Sequence, residues 1–519
     1  MKIFLAVSFS LATSAFAQPA AQNSTAKHPF TFEDMMKLKR VGAPVPSPDG
    51  KWVVFDCVDV DLEKNTKVSH LWIVPANGGE SRRLSQAANH EERPRFSPDG
   101  KRLIWTSKAT DPTQIWMSNF DTGSGALKGK AHQVTNISTG ADGAIWSPDG
   151  KNIVFVSAVY PDCNPPPPGS GVTSDDCNRK RDQELKNSKV KAKIFTRLLY
   201  RHWNAYSEFK RSHLFVQNVE AGVSPAGKAN AADTAATTPR DLTPGDQDVP
   251  PFNLGGQDMY AISPDGKEIA YTSNIDEVEA TSTNNEVFIV PMTGPAAAGK
   301  KISTSPGSDS TPLYSPDGKY IAWRSQARAG FEADKWRLFV QDRKSGQVHD
   351  LTEKSDHSLG SFAWRLDSET IFFTAENHGE SPIYGVSLHD NDVHEVIQLH
   401  ADDLTSCKDG SSIFFSRASI RSPTEIARFS LEEYANASGH GQDVVHAQSV
   451  TKMNDPLLSG IDMQLLEPFT FKGANDEDVQ GFMIKPPGFD PAKKYPLKFL
   501  IHGGPQGAWG NSWTYRWNA

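Results

Sequence analysis

A chain of 519 residues with 54 lysines and arginines against 62 aspartates and glutamates carries a net charge of −8, and 37% of it is apolar. That is enough nonpolar surface for a large core and room for about three domains of roughly 150 residues. Four cysteines in this length exclude a disulfide-built scaffold, and the acidic balance argues against a dedicated nucleic-acid binder, which usually shows a basic footprint.

The first residues read as an export signal. Lys2 supplies a positive start, Ile3 to Leu11 an apolar stretch, and Ala15-Phe16-Ala17 a small-x-small cleavage site, so cleavage after Ala17 into a periplasmic or secreted protein is expected. No later run approaches the ~18 apolar residues that a bilayer span requires, and no membrane span is expected.

A repeat then organises the chain. Ser-Pro-Asp-Gly-Lys begins at Ser47, Ser97, Ser147, Ser263 and Ser315, with degenerate copies at Arg365-Leu366-Asp367-Ser368 and Cys407-Lys408-Asp409-Gly410. Pro presets the first turn residue, Asp bonds nearby backbone, and Gly supplies positive φ, so each copy should make a tight turn between strands. An apolar strand follows each turn, as at Trp52-Val53-Val54-Phe55, and a second aromatic strand comes later in the unit, as at Leu71-Trp72-Ile73-Val74. Seven units of about 40–50 residues predict an all-β seven-bladed β-propeller over 30–440, because a blade buries its faces only against its neighbours.

The gap between Asp149 and Asp265 holds one blade plus an insertion, 158–245. Cys163 and Cys177 bracket a Pro/Gly/Ser loop, and in an exported protein a bridge between them is expected; Cys57 and Cys407 read equally well as buried thiols. The Lys/Arg-rich segment Asn178 to Arg201, with apolar Val190, Ile194, Leu198 and Leu199, predicts an amphipathic helix packed on the rim, and Ala221 to Pro239 a loop.

After the last blade the periodicity changes. Phe469-Thr470-Phe471, Gly481 to Lys485 and Leu497 to Ile501 predict three strands, the third running into His502-Gly503-Gly504-Pro505. That order matches the start of an α/β-hydrolase domain over 460–519, where the loop after the third strand donates a backbone N–H to an oxyanion hole. Gly503 and Gly504 are the candidates for that catalytic loop, since a side chain there would obstruct the approach to a substrate oxygen. His502 is assigned to holding the loop. No Gly-x-Ser-x-Gly occurs in the 519 residues, so a nucleophile serine and its Asp and His partners are expected to be missing from this chain. No cofactor or metal site is expected either.

The propeller repeat, Tyr495-Pro496-Leu497 through His502-Gly503-Gly504-Pro505-Gln506, Trp509, Trp513 and Arg516-Trp517-Asn518 resemble the prolyl oligopeptidase family of serine peptidases. The His-Gly-Gly-Pro form and Lys210-Arg211-Ser212-His213-Leu214 are similar to its acylaminoacyl-peptidase and dipeptidyl-peptidase 5 branch. The resemblance implies an exported exopeptidase acting on short peptides, with Gly504 as the oxyanion donor, and a chain that alone is inactive. An exopeptidase needs an acid to anchor a protonated α-amine; Glu208 is the candidate, with Glu91 and Glu92 as another. The alternative is a non-catalytic periplasmic propeller that binds a partner, a reading for which the strands at 469–501 and the His-Gly-Gly-Pro loop have no use.

Overall fold

A computed structural model describes residues 27–164, 172–202, 204–219, 238–252, 256–294, 299–440, 445–503 and 508–515. The export signal, the proline-rich loop after Asn164, most of the 221–239 stretch and Gly504 lie outside the described residues.

The repeat folds as seven antiparallel sheets in chain order, spanning 40–83, 91–133, 142–241, 260–301, 309–350, 359–397 and 400–449. Within each sheet the strands pair in sequence order, except that in the first Arg40–Val41 and Val45–Pro46 both pair with Trp52–Asp61. First strands of neighbouring sheets touch, as Leu359–Trp364 does His400–Ser406, so they surround the axis and the fourth strands lie outermost. The result is a seven-bladed propeller. Its core lies between blades, where Trp323, Phe155, Phe372 and Phe414 are completely buried. Each such side chain contributes about 1.5–3 kcal/mol of burial.

The turns close as their chemistry demands. The Ser47 hydroxyl donates to Asp49 Oδ1 at 2.6 Å and accepts the Trp52 N–H at 3.0 Å, while the Gly50 N–H reaches the Ser47 carbonyl at 2.9 Å. The same Ser–Asp bond recurs at Ser97, Ser147, Ser263 and Ser315. Gly50 sits at φ +68°; in the degenerate sixth copy Ser368 adopts φ +61° in its place. A second device closes the outer edge. Hydroxyls of Thr135, Thr243, Ser303, Thr352 and Thr451 accept the N–H that opens the third strand or begins its pairing, at Ile115, Leu214, Val287, Leu338 and Ile426.

Ring closure shares no strand between the first and last blades. The seam is apolar: Val41, Phe55 and Cys57 of blade 1 pack with Cys407, Phe414 and Ile426 of blade 7. Asn454 adds a strand-like pair of bonds, accepting the Lys39 N–H at 2.8 Å and donating to the Lys39 carbonyl at 3.0 Å. The Glu425 carboxylate holds Asn454 through its N–H at 2.9 Å. Both Cys57 and Cys407 are buried free thiols.

The insertion corrects the expected helix. Helix Ser174–Asn187 starts earlier than the sequence suggests, because Thr173 accepts the Asp176 N–H and caps it. It ends before Ser188, whose hydroxyl bonds both the N–H and the carbonyl of Val190 and so competes with helical pairing. The expected apolar face is left in solvent, with Val190 70% and Ile194 79% exposed. A disulfide joins Cys163 to Cys177 with their Cα atoms 5.6 Å apart, and Asn178 accepts the Tyr160 N–H, so the helix is fixed to blade 3.

Beyond the propeller, Leu466–Lys472 and Asp478–Ile484 form an antiparallel hairpin. The third expected strand is absent as a strand. Among the described residues Leu497 to Ile501 pairs with no strand and is 65–84% exposed at Leu497, Phe499, Leu500 and Ile501, because an extended apolar segment becomes β only beside a partner edge.

Candidate functional site

The His-Gly-Gly loop is open. His502 is exposed, its Nδ1 donating to the Gly503 carbonyl at 2.9 Å and its ring 5.6 Å from Trp509. A methyl built on Gly503 would meet no atom within 4 Å. Gly504, the residue expected to donate to an oxyanion, lies outside the described residues.

The three candidate amine anchors go to different places. Glu91 is buried in blade 2, bonded to the Ser85 hydroxyl at 3.1 Å, and burial raises its carboxyl above the ordinary value; it is a core group. Glu92, beside it on the same strand, pairs with His90 Nε2 at 3.1 Å, which lowers its carboxyl. Glu208, at a left-handed φ of +55°, pairs with Lys193 in the insertion. Around it stand stacked rings: Phe195 lies 4.9 Å from Tyr200 and 4.8 Å from Phe209. Glu208, half exposed, is paired with Lys193, and no bond among the described residues links it to Glu91 or Glu92.

The propeller axis carries charge the sequence reading missed. The first strands bulge near one end, between Glu92 and Arg95, Ser310 and Leu313, and Asp402 and Thr405, and the bulges put charged residues on the axis. Asp258 receives Arg93 at 2.8 Å and Arg95 at 3.0 Å, and Arg93 also reaches Asp142 at 3.4 Å, so blades 2, 3 and 4 are clamped together. Opposite in sign, Asp403 is pushed up to about 6 by burial and by Asp402. Asp56 is raised by burial and by Glu92. Gln257 plugs part of the ring, exchanging two bonds with the Phe362 backbone at 3.1 and 3.2 Å.

A concavity of about 690 Å³ lies where blades 6 and 7 meet the post-propeller chain. Blade 7 contributes Arg417 and the hairpin tip Ser419 to Ser422; the hairpin contributes Leu466 and Phe482; the blade 6 loop contributes His378, Gly379 and Glu380. Asn511 ties these parts together. Its N–H donates to the Gly379 carbonyl at 2.6 Å, its Oδ1 accepts the Ile420 N–H at 2.9 Å, and its Nδ2 donates to Glu380 Oε1 at 2.7 Å. Burial raises the Glu380 carboxyl, and its second oxygen has no partner among the described residues. The approach is close enough to require glycine on both sides: a methyl on Gly379, at φ +84°, would sit 2.3 Å from the Phe482 ring, and one on Gly510 2.1 Å from the Gly379 oxygen. Further along, Trp513 meets Phe30 edge-on at 5.7 Å and Arg40 lies 4.2 Å over the Tyr515 ring. No signal in the sequence marked Asn511, Gly379 or Glu380, since none belongs to a repeat or motif. Among the described residues no cluster of His, Cys, Asp or Glu could hold a metal ion, and no helix is long and apolar enough to cross a membrane.

The architecture is thus a seven-bladed propeller whose two chain ends leave together and carry a second unit beside blades 6, 7 and 1. Similarity along the chain agrees. Dipeptidyl-peptidase 5 of Porphyromonas gingivalis is 29% identical over 525 residues, covering 100% of this chain and 69% of that protein. Dipeptidyl-peptidase 5 of Trichophyton equinum is 26% identical over 510 residues, covering 94% and 65%. The acylaminoacyl peptidase of Pyrococcus horikoshii shares the fold, with a TM-score of 0.65 at 14% identity over 94% of this chain and 64% of that one. No family model matches the chain. With these relatives the chain matches the prolyl oligopeptidase family, and it spans about two thirds of the length of the two dipeptidyl-peptidase 5 proteins.

Proposed function

We propose that this chain is the propeller and the first part of the catalytic unit of an exported serine exopeptidase that removes dipeptides or acylated residues from short peptides. The observation that carries the reading is similarity to dipeptidyl-peptidase 5 across the whole chain, continuing through the His-Gly-Gly-Pro loop. In that reading the 466–503 stretch begins an α/β-hydrolase domain, with Gly503 and Gly504 in the loop that presents a backbone N–H to the developing oxyanion. A nucleophile serine would attack the peptide carbonyl, a histidine would take its proton, and an acid would orient the histidine. These 519 residues hold the loop without a Gly-x-Ser-x-Gly, so the chain as it stands lacks the nucleophile elbow. The disulfide in the insertion supports export, because such bonds persist in oxidising compartments.

The test is turnover of dipeptidyl and acylaminoacyl chromogenic substrates. The 519-residue chain should give none after purification from host peptidases. If the reading frame continues in the source DNA, its full product should hydrolyse them. There Gly504→Val should lower kcat about 100-fold, the scale of losing one oxyanion donor. Turnover by the 519-residue chain, or none by a product that carries the elbow, would refute the reading.

A further inference from the structure

The cavity between blades 6 and 7 and the hairpin has two unlike walls. One is cationic. Arg417 projects from strand Ser412–Ser419 and Arg421 from the turn that follows it, and both line the cavity. Neither has a carboxylate within salt-bridge distance among the described residues, whereas Arg211 engages three and Arg93 two. The absence is not for want of an acid nearby. Arg417 stands opposite Glu425 in the strand register, but the Glu425 carboxylate is turned to the Thr451 hydroxyl and the Met453 and Asn454 N–H groups. Glu380, on the same cavity, gives its bonded oxygen to Asn511. The lining from the post-propeller chain is mostly apolar, with Ile461, Leu466 and Phe482, and carries one acid, Asp455, that is not within salt-bridge distance of either arginine.

Two unpaired guanidinium groups beside an apolar wall suit a ligand with a carboxylate next to a hydrophobic side chain. Asn511 holds the turn that carries Arg421 by accepting the neighbouring Ile420 N–H, which limits the backbone ordering that binding would require there. We propose that this cavity binds the carboxyl terminus of a short peptide, Arg417 and Arg421 taking the carboxylate and the Ile461–Leu466–Phe482 wall the last side chain. The proposal rests on the peptidase reading and names where the far end of its substrate is held. It makes a free carboxyl terminus a determinant of which peptides are selected.

The test is equilibrium binding to the 519-residue chain, which needs no turnover. Ala-Ala-Ala-Phe as the free acid should bind about tenfold or more tightly than its C-terminal amide, the scale of a hydrogen bond to a charged group. Arg417→Gln and Arg421→Gln should each weaken the acid about tenfold and leave the amide unchanged, with unaltered thermal midpoints showing that the fold persists. Equal affinity for acid and amide would overturn the carboxylate site while leaving the peptidase reading to its own assay. An acid preference that survives both substitutions would also overturn it, as would failure to bind either peptide. Inorganic phosphate that competes at the same concentration as the peptide would show a general anion site and refute the assignment.

Discussion

Replacing Gly510 with alanine tests how the post-propeller chain is held. The added methyl would lie 2.1 Å from the Gly379 oxygen and 2.6 Å from its carbonyl carbon and Cα, backbone atoms that cannot rotate away. The segment must move outward, and Asn511 loses its bonds at 2.6, 2.9 and 2.7 Å together. Two are neutral and the third ends on the Glu380 carboxylate. At about 1 kcal/mol for each neutral bond and somewhat more for the third, offset where water replaces them, the contact weakens by about 2–3 kcal/mol. That corresponds to a roughly 30- to 150-fold shift toward the open form. Hydrogen exchange reads it directly at the Ile420 amide, which donates to Asn511. Exchange there should accelerate by that factor, while amides in the core strand Ile413–Phe415 keep their protection. Gly503→Ala, where the methyl meets open space, should leave Ile420 unchanged. Unaltered exchange at Ile420 in Gly510→Ala would refute the latch.

Arg211, 9% exposed, faces Asp246, Asp248 and Glu279 at 3.1, 2.8 and 2.6 Å, so Arg211→Met should cost about 3 kcal/mol in denaturant unfolding, chiefly by leaving Glu279 and Asp248 without their cation while Asp246 keeps Arg197; a cost below 1 kcal/mol would contradict it. Asp309 is buried, bonded to the Trp323 Nε1 at 2.9 Å, and burial pushes its carboxyl up to about 7. The folded state then holds the proton more tightly than the unfolded chain, so stability is greatest below about pH 4 at this group and declines as pH rises to about 7. Asp309→Asn should therefore raise Tm at pH 8 relative to wild type and change it little at pH 4; the opposite pH trend would refute the assignment. The bridge closes a loop of 14 residues in sequence, worth about 3 kcal/mol of loop-closure stabilisation. Cys163→Ser should thus speed proteolysis within 174–202 while blades 5 and 6 stay resistant, and equal cleavage rates would remove the bridge from the argument.

Much of the propeller is legible from residues alone because its determinants are local. Ser47, Pro48, Asp49 and Gly50 specify a turn within four residues, and the apolar strands alternate on either side of it, so blade number follows from counting. The sixth turn works even though Ser368 replaces glycine, since one left-handed residue is tolerated when flanking strands fix it. The helix in the insertion misled for the same reason in reverse. Val190 and Ile194 have helical spacing, but no surface waits to bury them, and Ser188 offers the backbone other bonds. The third post-propeller strand failed likewise, for strand formation depends on an edge that Leu497 to Ile501 does not meet.

The cavity belonged wholly to tertiary structure. Arg417, Arg421, Glu380 and Asn511 come from two blades and the chain beyond them, and no spacing links 380 to 511. The sequence by itself determined the repeat, the turn chemistry, the cysteine pair and the family motif, because each depends on neighbours in the chain. Only the folded ring decided that the first and last blades close without exchanging a strand, that Glu91 is a core group and that Glu208 is already paired. It also decided that two arginines face a cavity with no carboxylate within salt-bridge distance of them among the described residues. Burial and charge pairing are set by residues hundreds of positions apart, which meet only once the blades have closed.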